Sequence, residues 1–387
     1  MSIINAKAVV VGSGLNALGI VRSLAKAGIP VVVFGDDEDA AMHTRLARRH
    51  RIDSTGGDSV IDALVAFGKS ESVKPVLFLT EEKSVTTVSE RREEILPWYR
   101  LTLPEHELLM ALMRKEEFQQ YAQNLGYSIP AAEHLRSPVD LGRLSSLRYP
   151  CVLKPAVKDY AYGAKFKKAY VVANPDEAVA LFNEISPVLS DLIVQEWIEG
   201  TDSDIYFCLQ YINADQAEVV SFVGRKLRSW PPRIGGTASC VAAPEFHQEL
   251  AAETTAFFRD VGFVGMGSME YKRDSRDGRF YMVEPTVGRT DFQEEVATVN
   301  GINIPLAAYC RETGMPAPTG NYFQPARIWR EPVTDKWSAE LQPELGNPPA
   351  SPLVDAYWRL SDPMPWLELT LGRIKARLAS LGIFGRG

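Results

Sequence analysis

The sequence predicts a protein of the mixed α/β class with more than one domain. Its 387 residues are enough for two or three sizeable hydrophobic cores. In the first third of the chain, short apolar runs rich in valine and leucine alternate with segments of helical pattern, which is typical of α/β folds. Later in the chain, two strand-like runs at residues 263–272 and 279–289 flank a polar turn.

Composition and charge argue against several classes of protein. The net charge of −7 argues against nucleic acid as the main partner. The four cysteines are far apart, and no CxxC motif or Cys/His cluster occurs, so we expect buried reduced thiols and no zinc site. No apolar stretch is long enough to cross a bilayer, and the N-terminus lacks the pattern of a signal peptide. We therefore expect a cytoplasmic protein.

The chain opens with a βαβ pattern: a strand at residues 6–11, a helix ending at Ala27, and strands at 31–34 and 76–79. A Gly12-Ser-Gly14-Leu-Asn-Ala17 turn joins the first strand to the helix, and its glycines let the helix N-terminus approach a ligand. This predicts a Rossmann-like domain. The turn alone favours a nicotinamide or flavin cofactor, but many doubly wound domains with this turn bind no dinucleotide. An NAD-dependent oxidoreductase is therefore one alternative.

Two lysines in the middle of the chain are candidates for phosphate binding. Lys115 precedes a predicted helix, and Lys154 lies at the end of a predicted strand that a proline stops. The loop that follows, residues 156–165, contains a single glycine. A lysine at a strand end beside a turn can hold a phosphate as a point charge. The alternative is a solvated strand-end lysine.

A strand at residues 192–196 runs into the segment Gln195-Glu196-Trp197-Ile198, which we name the hinge segment. An adenine ring needs an apolar slot with a backbone donor and acceptor along one edge, and a strand-to-loop transition offers both. Asp202 or Asp204, which follow, would then meet the ribose. The alternative is an amphipathic strand and turn with no ligand.

The strand-like runs at 263–272 and 279–289 each carry a glutamate, Glu270 and Glu284. The Asp277-Gly278 pair between them favours a hairpin, which brings the two carboxylates close together. Carboxylates held together repel unless a cation lies between them, and Mg²⁺ prefers one or two carboxylates plus substrate phosphates. The alternative is a surface hairpin with two solvated acids.

A basic segment, Arg225-Lys226-Leu-Arg228, precedes a predicted glycine-rich loop at residues 235–239. Such a segment suits an anionic substrate or a triphosphate, and a solvated basic loop is the alternative.

The C-terminal residues 366–384 predict an amphipathic basic helix. Its apolar positions are Trp366, Leu369, Ile374, Leu378 and Leu381. Packing on its own domain or on a sister subunit in a homodimer is the commoner fate of such a helix. Peripheral contact with an anionic membrane stays open as the alternative.

The ordered set of motifs resembles the ATP-grasp ligases over residues 6–310. It comprises Lys115, Tyr149-Pro-x-x-x-Lys154-Pro155, the hinge segment with Gly200, Glu270, and Glu284-x-x-x-x-Arg289. The basic segment is similar to the branch that includes D-aspartate ligase and carbamoyl-phosphate-synthase-like proteins, some of them linked to cell-wall or polysaccharide pathways. The resemblance implies a Rossmann-like domain over 1–105, an ATP-grasp domain pair over 106–312 and a C-terminal extension over 313–387.

The resemblance also implies roles for individual residues. Lys115 and Lys154 would hold the ATP phosphates, the hinge segment the adenine, and Asp204 the ribose. Glu270, Glu284 and Thr286 would bind Mg²⁺, and Arg289 and Lys226 would be the catalytic cations. Family members usually carry asparagine where this chain has Thr286, and their arginine comes one residue earlier than Arg289.

We therefore expect an enzyme, an ATP-dependent ligase that joins a carboxylate to an amine or a thiol. Its partners would be small molecules, and its reaction would pass through an acyl phosphate and release ADP and phosphate. Two alternatives from other classes remain open: an ATP-binding regulatory or scaffold protein without turnover, and the NAD-dependent oxidoreductase.

Overall fold

The structure is a computed structural model that describes residues 6–36, 39–156, 162, 165–167, 169–217, 219–233, 235–346 and 350–380, with side chains through residue 375. The chain forms two compact units. Unit 1 comprises Met1–Tyr121, Thr201–Glu270 and Glu284–Gly387, and unit 2 comprises Ala122–Gly200 and Tyr271–Val283. The two units divide the chain at positions other than 105 and 312. The predicted domain boundaries at those two residues remain a prediction.

The N-terminal part of unit 1 is a parallel four-stranded sheet of order β3-β2-β1-β4. Its strands are β1 Ala8–Val11, β2 Val31–Gly35, β3 Arg48–Arg51 and β4 Val76–Leu79. The helices are α1 Leu15–Ala25, α2 Gly57–Ser70, α3 Glu82–Glu90, α4 Arg92–Ile95, α5 His106–Met113 and α6 Lys115–Asn124. The three apolar strands are buried throughout, as parallel strands covered on both faces are.

Unit 1 also contains most of a seven-stranded sheet of order β13-β12-β9-β10-β11-β14-β15. Its strands are β9 Ile205–Ile212, β10 Val219–Trp230, β11 Gly236–Ala242, β12 Gly265–Arg273, β13 Phe280–Val287, β14 Ile328–Arg330 and β15 Leu353–Asp355. Strands β12 and β13 each pass from one unit into the other. They are neighbours in the sheet, as the hairpin pattern predicts.

Unit 2 is built on an antiparallel sheet of order β5-β8-β6-β7. Its strands are β5 Ala132–Leu135, β6 Cys151–Pro155, β7 Tyr170–Val172 and β8 Leu192–Glu196. Helix α7, Pro175–Ile185, is capped at its N-terminus by the Asn174 side chain, which accepts from the Glu177 amide. The predicted phosphate loop at residues 156–165 lies mostly outside the described residues.

Five more helices belong to unit 1: α8 His247–Asp260, α9 Glu295–Val299, α10 Ile304–Glu312, α11 Pro332–Leu341 and α12 Met364–Ser380. Trp329 and Tyr309 are among the largest side chains in the core that these helices share with the sheets. All four cysteines are buried and free, as expected. Among the described helices, none combines the length and the apolarity that a bilayer crossing requires.

Two sequence expectations need correction. The predicted basic segment and glycine-rich loop are mostly strand, because the basic segment lies in β10 and residues 236–239 lie in β11. In α12, Trp366 and Leu369 are partly buried, while Ile374 is exposed together with Met364, Leu367 and Leu371. The apolar positions of this helix therefore face two directions. Leu378 and Leu381 lie outside the described side chains.

Candidate active site

Three acidic side chains of unit 1 gather around one buried lysine. Lys226 on β10 lies 2.6 Å from Glu270 on β12, measured from Nζ to Oε2. Strands β10 and β12 are separated by β9, so their backbones are about 10 Å apart, a gap that an extended lysine and a glutamate bridge together. Glu284 on β13 and Asp291 just beyond that strand act electrostatically on both partners. We name Glu270, Glu284 and Asp291 the acidic cluster.

Burial and the charges of neighbouring groups both shift the pKa values of Glu270 and Lys226. Burial raises the pKa of Glu270, the neighbouring Glu284 and Asp291 raise it further, and Lys226 offsets only part of the effect. Burial also works against the Lys226 ammonium, but Glu270 more than compensates and raises the lysine pKa. With all groups ionised, three carboxylates and one ammonium leave a net charge of −2. A divalent cation would neutralise that charge.

Asp291 belongs to no motif in the sequence and joins the cluster only in the folded chain. Its Oδ2 accepts a hydrogen bond of 2.6 Å from the Ser268 hydroxyl on β12. Gly288, which has a φ of +72°, turns the chain at the end of β13, so that Asp291 returns toward the cluster. An acidic residue shortly after a strand-ending glycine is the only trace of it in the sequence.

Thr286 shares a face of β13 with Glu284, because alternate residues of a strand point the same way. Its strand lies very close to β12: a Cβ on Gly267 would come within 2.9 Å of the Thr286 carbonyl oxygen. Glycine at position 267 therefore permits the close approach of the two strands that carry the cluster. Thr286 itself is half-buried.

Arg289 lies two residues before Asp291 and is half-buried, and its Nη1 donates to the Thr290 carbonyl at 3.2 Å. Asn16, on the first turn of α1, holds the adjacent Thr290. The Asn16 amide donates to the Thr290 carbonyl at 2.6 Å, and the Thr290 hydroxyl donates back at 2.7 Å. The N-terminal turn thus fixes the backbone that carries Arg289.

The other basic-segment residues do not join Lys226 in one anion site. Arg228 is buried, lies 3.3 Å from Asp335 and donates to the Gly346 carbonyl at 2.6 Å. Arg225 is half-buried and Arg233 is exposed. The basic segment therefore does not form a single anion site, because the irregular pairing of β10 with β11 places Lys226 and Arg228 in separate surroundings.

In unit 2, Lys154 and the hinge segment meet directly. Lys154 Nζ donates to Gln195 Oε1 at 2.8 Å, between the adjacent strands β6 and β8. Glu196 Oε1 accepts from the Arg148 amide at 2.7 Å. Both side chains are thus already engaged within this unit.

The backbone of the hinge segment is partly occupied as well. The Glu196 amide donates to the Ala131 carbonyl at 2.8 Å, and the Trp197 amide donates to the Pro150 carbonyl at 3.0 Å. Ile198 is buried, which provides apolar surface at this point.

Residues in the turn between β12 and β13 bind the chain on either side of the hinge segment. Asp274 in this turn is fully buried and lies 2.7 Å from Arg148 and 2.6 Å from Arg276. The Arg276 hydrogen bond in particular lowers the pKa of Asp274. The next residue, Ser275, donates its amide to the Glu199 carbonyl at 2.9 Å. An ionised Asp274 therefore ties this turn to the strand ends that carry the hinge segment.

The other residues predicted to contact the nucleotide differ in whether their side chains are free to reach a ligand. Asp202 is fully buried and accepts from the Ser229 and Arg233 amides, so its side chain is not available for a ribose. Asp204 is half-buried and caps a short turn by accepting from the Thr201 amide at 2.7 Å. Lys115 is exposed at the first position of α6.

The glycine turn at the N-terminus is filled by protein groups. The Ser13 amide, which would face a pyrophosphate in a dinucleotide site, donates to Glu81 Oε1 at 3.2 Å. The Ser13 hydroxyl donates to Asp36 at 3.2 Å, and Lys83 lies 2.5 Å from Asp36. Because a carboxylate occupies the place of the phosphate, this turn does not favour the NAD alternative.

Comparison with solved structures shows that this chain shares its fold with synthetase and carboxylase enzymes of low sequence identity. Phosphoribosylglycinamide synthetase from Anaerococcus prevotii matches with a TM-score of 0.61 at 14% identity, covering 80% of this chain and 75% of that chain. The biotin carboxylase domain of 2-oxoglutarate carboxylase from Hydrogenobacter thermophilus, crystallised with MgADP, ADP and bicarbonate, matches with a TM-score of 0.59 at 14% identity. It covers 83% of this chain and 73% of that chain.

In sequence, the chain is similar to D-aspartate ligase from Enterococcus faecium (strain Aus0004). The two are 22% identical over 314 residues, which cover 76% of this chain and 74% of the relative. No protein-family model matches the chain. Together these findings confirm the resemblance to the ATP-grasp ligase superfamily that the ordered motifs indicate.

Proposed function

We propose that the chain is an ATP- and Mg²⁺-dependent ligase that joins a carboxylate to an amine or a thiol. The observation that carries this proposal is the acidic cluster around Lys226, on the strands where the motif order predicts the metal ligands. A substrate carboxylate attacks the γ-phosphoryl group of ATP to give an acyl phosphate and ADP. The amine or thiol then displaces phosphate, so no side-chain nucleophile is needed.

The acidic cluster fits Mg²⁺ by the chemistry of its donors, which are carboxylate oxygens with the Thr286 hydroxyl nearby. Among the described residues, no group of three or more acids, histidines or cysteines lies close enough together to hold a metal ion. In this proposal one or two carboxylates would bind Mg²⁺ together with the substrate phosphates and water. Glu270, Glu284 and Thr286 would hold the ion, which supplies charge neutralisation at the phosphate oxygens.

The cations would act on the developing negative charge. Arg289 would stabilise the acyl phosphate and the tetrahedral adduct, because its guanidinium matches phosphate geometry. Lys226, held by Glu270, would supply a second fixed positive charge. In this proposal Lys115 and Lys154 bind phosphates, the hinge segment binds adenine and Asp204 binds the ribose.

The identity of the sequence relative makes D-aspartate the first carboxylate to assay. A place in a cell-wall or polysaccharide pathway is part of the same proposal. Release of ADP should require ATP, Mg²⁺, a carboxylate and an amine or thiol together. ATP binding without ADP release across a broad panel of acids and amines would instead favour the regulatory alternative.

Substitution of Glu284 tests the assignment. Glu284→Gln removes one carboxylate charge from an exposed strand position, so the fold should persist while ADP release falls by about 100-fold or more. Glu340→Gln, on the exposed face of α11, is the matched control and should leave ADP release unchanged. Full ADP release by the Glu284→Gln variant would contradict the proposal.

A further inference from the structure

A surface cavity of about 700 Å³ lies along β14 and β15, and none of its residues has a role in the proposed ligase reaction. A neighbouring cavity of about 430 Å³ shares Val299, Arg327 and Arg359 with it. Volumes in this range suit small-molecule ligands. We name the larger cavity the arginine pocket.

Two guanidinium groups in this pocket have no carboxylate partner within the described residues. Arg330 lies opposite Asp355 in the β14–β15 register, yet no ion pair joins them. The Asp355 carboxylate instead accepts from two backbone amides of the turn that follows, one of them that of Trp358 at 3.0 Å. The Arg330 Nε is buried and has no hydrogen-bond partner among the residues that the structure describes. Arg327 lies over the Phe323 ring at 5.5 Å.

The third cation of the pocket, Arg359, already forms an ion pair. It lies 2.7 Å from Glu295, which also accepts a 3.1 Å hydrogen bond from the Trp329 indole. The acid at this edge of the pocket is therefore neutralised. The Asp355 carboxylate also lines the pocket and offsets part of the remaining charge, so a net positive charge is left at Arg327 and Arg330.

The wall beside these cations is apolar. Trp358 and Trp366 pack edge to face with ring centroids 5.4 Å apart. Trp358 is 43% exposed and the adjacent Leu360 is 85% exposed, both at the rim of the pocket. Unpaired arginines beside exposed indole and aliphatic surface suit a ligand with one anionic end and one apolar or planar end.

We infer that the arginine pocket binds an organic phosphate. The phosphate would pair with Arg327 and Arg330, and the apolar or planar group would lie against Trp358. A phosphate monoester carries a charge of about −1.5 to −2 at pH 7, which matches two unpaired guanidinium groups better than a single carboxylate does. The same chemistry occurs in soluble organic phosphates and in phospholipid headgroups, and the experiment separates these two sources.

Titration calorimetry of the full chain with 1-naphthyl phosphate tests the inference, with inorganic phosphate and 1-naphthol as partial probes. The complete probe should bind about tenfold more tightly than either part, because it uses the cations and the indole together. The double variant Arg327→Gln/Arg330→Gln should lose at least about tenfold in affinity, and Trp358→Ala should lower affinity for the naphthyl probe but not for phosphate. Arg48→Gln, on the exposed strand β3, is the matched control.

Flotation with vesicles of phosphatidylcholine, with and without phosphatidic acid, identifies the source. Flotation that depends on both phosphatidic acid and the two arginines favours a lipid headgroup, while naphthyl phosphate binding alone favours a soluble ligand. The inference would be overturned if the wild type bound neither naphthyl phosphate nor phosphatidic acid vesicles. It would also be overturned if the wild type and a folded double variant bound these probes with equal affinity. If the double variant does not fold, Trp358→Ala and the partial probe decide the matter. The inference is then overturned if Trp358→Ala binds naphthyl phosphate as tightly as wild type does and if wild type binds naphthyl phosphate and inorganic phosphate equally tightly.

Discussion

Replacement of Glu294 by glutamine should remove a large part of the pH dependence of this protein's stability. Glu294 is fully buried just before α9, and neither carboxyl oxygen has a hydrogen-bond partner within the described residues. The nearby Ser23 hydroxyl is bonded to Thr298 at 2.7 Å. Burial, and then the charge of Glu295, raise the pKa of Glu294 to about 8. The side chain is therefore protonated in the folded protein at neutral pH.

The sign and size of the effect follow from proton linkage. The unfolded chain loses the Glu294 proton near pH 4.5 and the folded chain near pH 8, so the free energy of unfolding falls as the pH rises between these values. With about 1.4 kcal/mol per pKa unit, the loss between pH 5 and pH 8 is on the order of 3 kcal/mol. Glutamine is neutral in both states and has nearly the same shape, so Glu294→Gln should not show this loss.

Urea unfolding of wild type and Glu294→Gln at pH 5, 6.5 and 8 measures the difference directly. The two proteins should have similar stability at pH 5, and the variant should be more stable by about 3 kcal/mol at pH 8. Glu340→Gln on the exposed face of α11 is the control, and its curve should follow that of wild type. Parallel curves for wild type and Glu294→Gln would refute the reasoning, because they would mean that Glu294 ionises in the folded state.

Three further predictions concern the candidate site. Lys154→Ala should weaken ATP binding by about tenfold in calorimetry, since a phosphate-binding charge is lost, and unchanged affinity would favour the solvated-lysine alternative. Thr286→Asn should hold or raise ADP release while Thr286→Val lowers it, because only asparagine and threonine offer Mg²⁺ an oxygen; equal rates in all three forms would exclude the position from the metal site. Asp274→Asn should destabilise unit 2 by about 1–2 kcal/mol, because two partly exposed arginines lose their shared buried anion, and hydrogen exchange of β6 and β8 would report it.

The parts of the site that follow local rules are predictable from the sequence. The hairpin follows from strand-forming runs on either side of Asp277-Gly278, and the structure has adjacent strands with Gly278 at a φ of +74°. Lys154 follows from a strand that a proline stops. In both cases the information lies within about ten residues of the position in question.

The parts that depend on strand order are not predictable in this way. The contact of Lys226 with Glu270 requires β9 to lie between β10 and β12, and nothing local to either residue encodes that order. Arg228, two residues further along the same strand, is structural because register shifts in the β10–β11 pairing on either side of it break the regular alternation of side chains. Strand β3 is unpredictable for a different reason: its sequence Arg-Arg-His-Arg has no apolar residue, and only pairing with β2 at a sheet edge makes it a strand.

The N-terminal turn shows why a motif must be interpreted with its surroundings. Its glycines have the spacing of a dinucleotide site, but the Ser13 amide is bonded to Glu81, and a Cβ on Gly12 would lie 1.9 Å from the Thr80 hydroxyl. The tight turn therefore serves contact between strands β1 and β4 and not the approach of a ligand. Asn16, on the same turn, binds both the Thr80 and the Thr290 carbonyls. Since Thr290 lies between Arg289 and Asp291, a turn that resembles a cofactor site instead holds the backbone of two residues at the candidate active site.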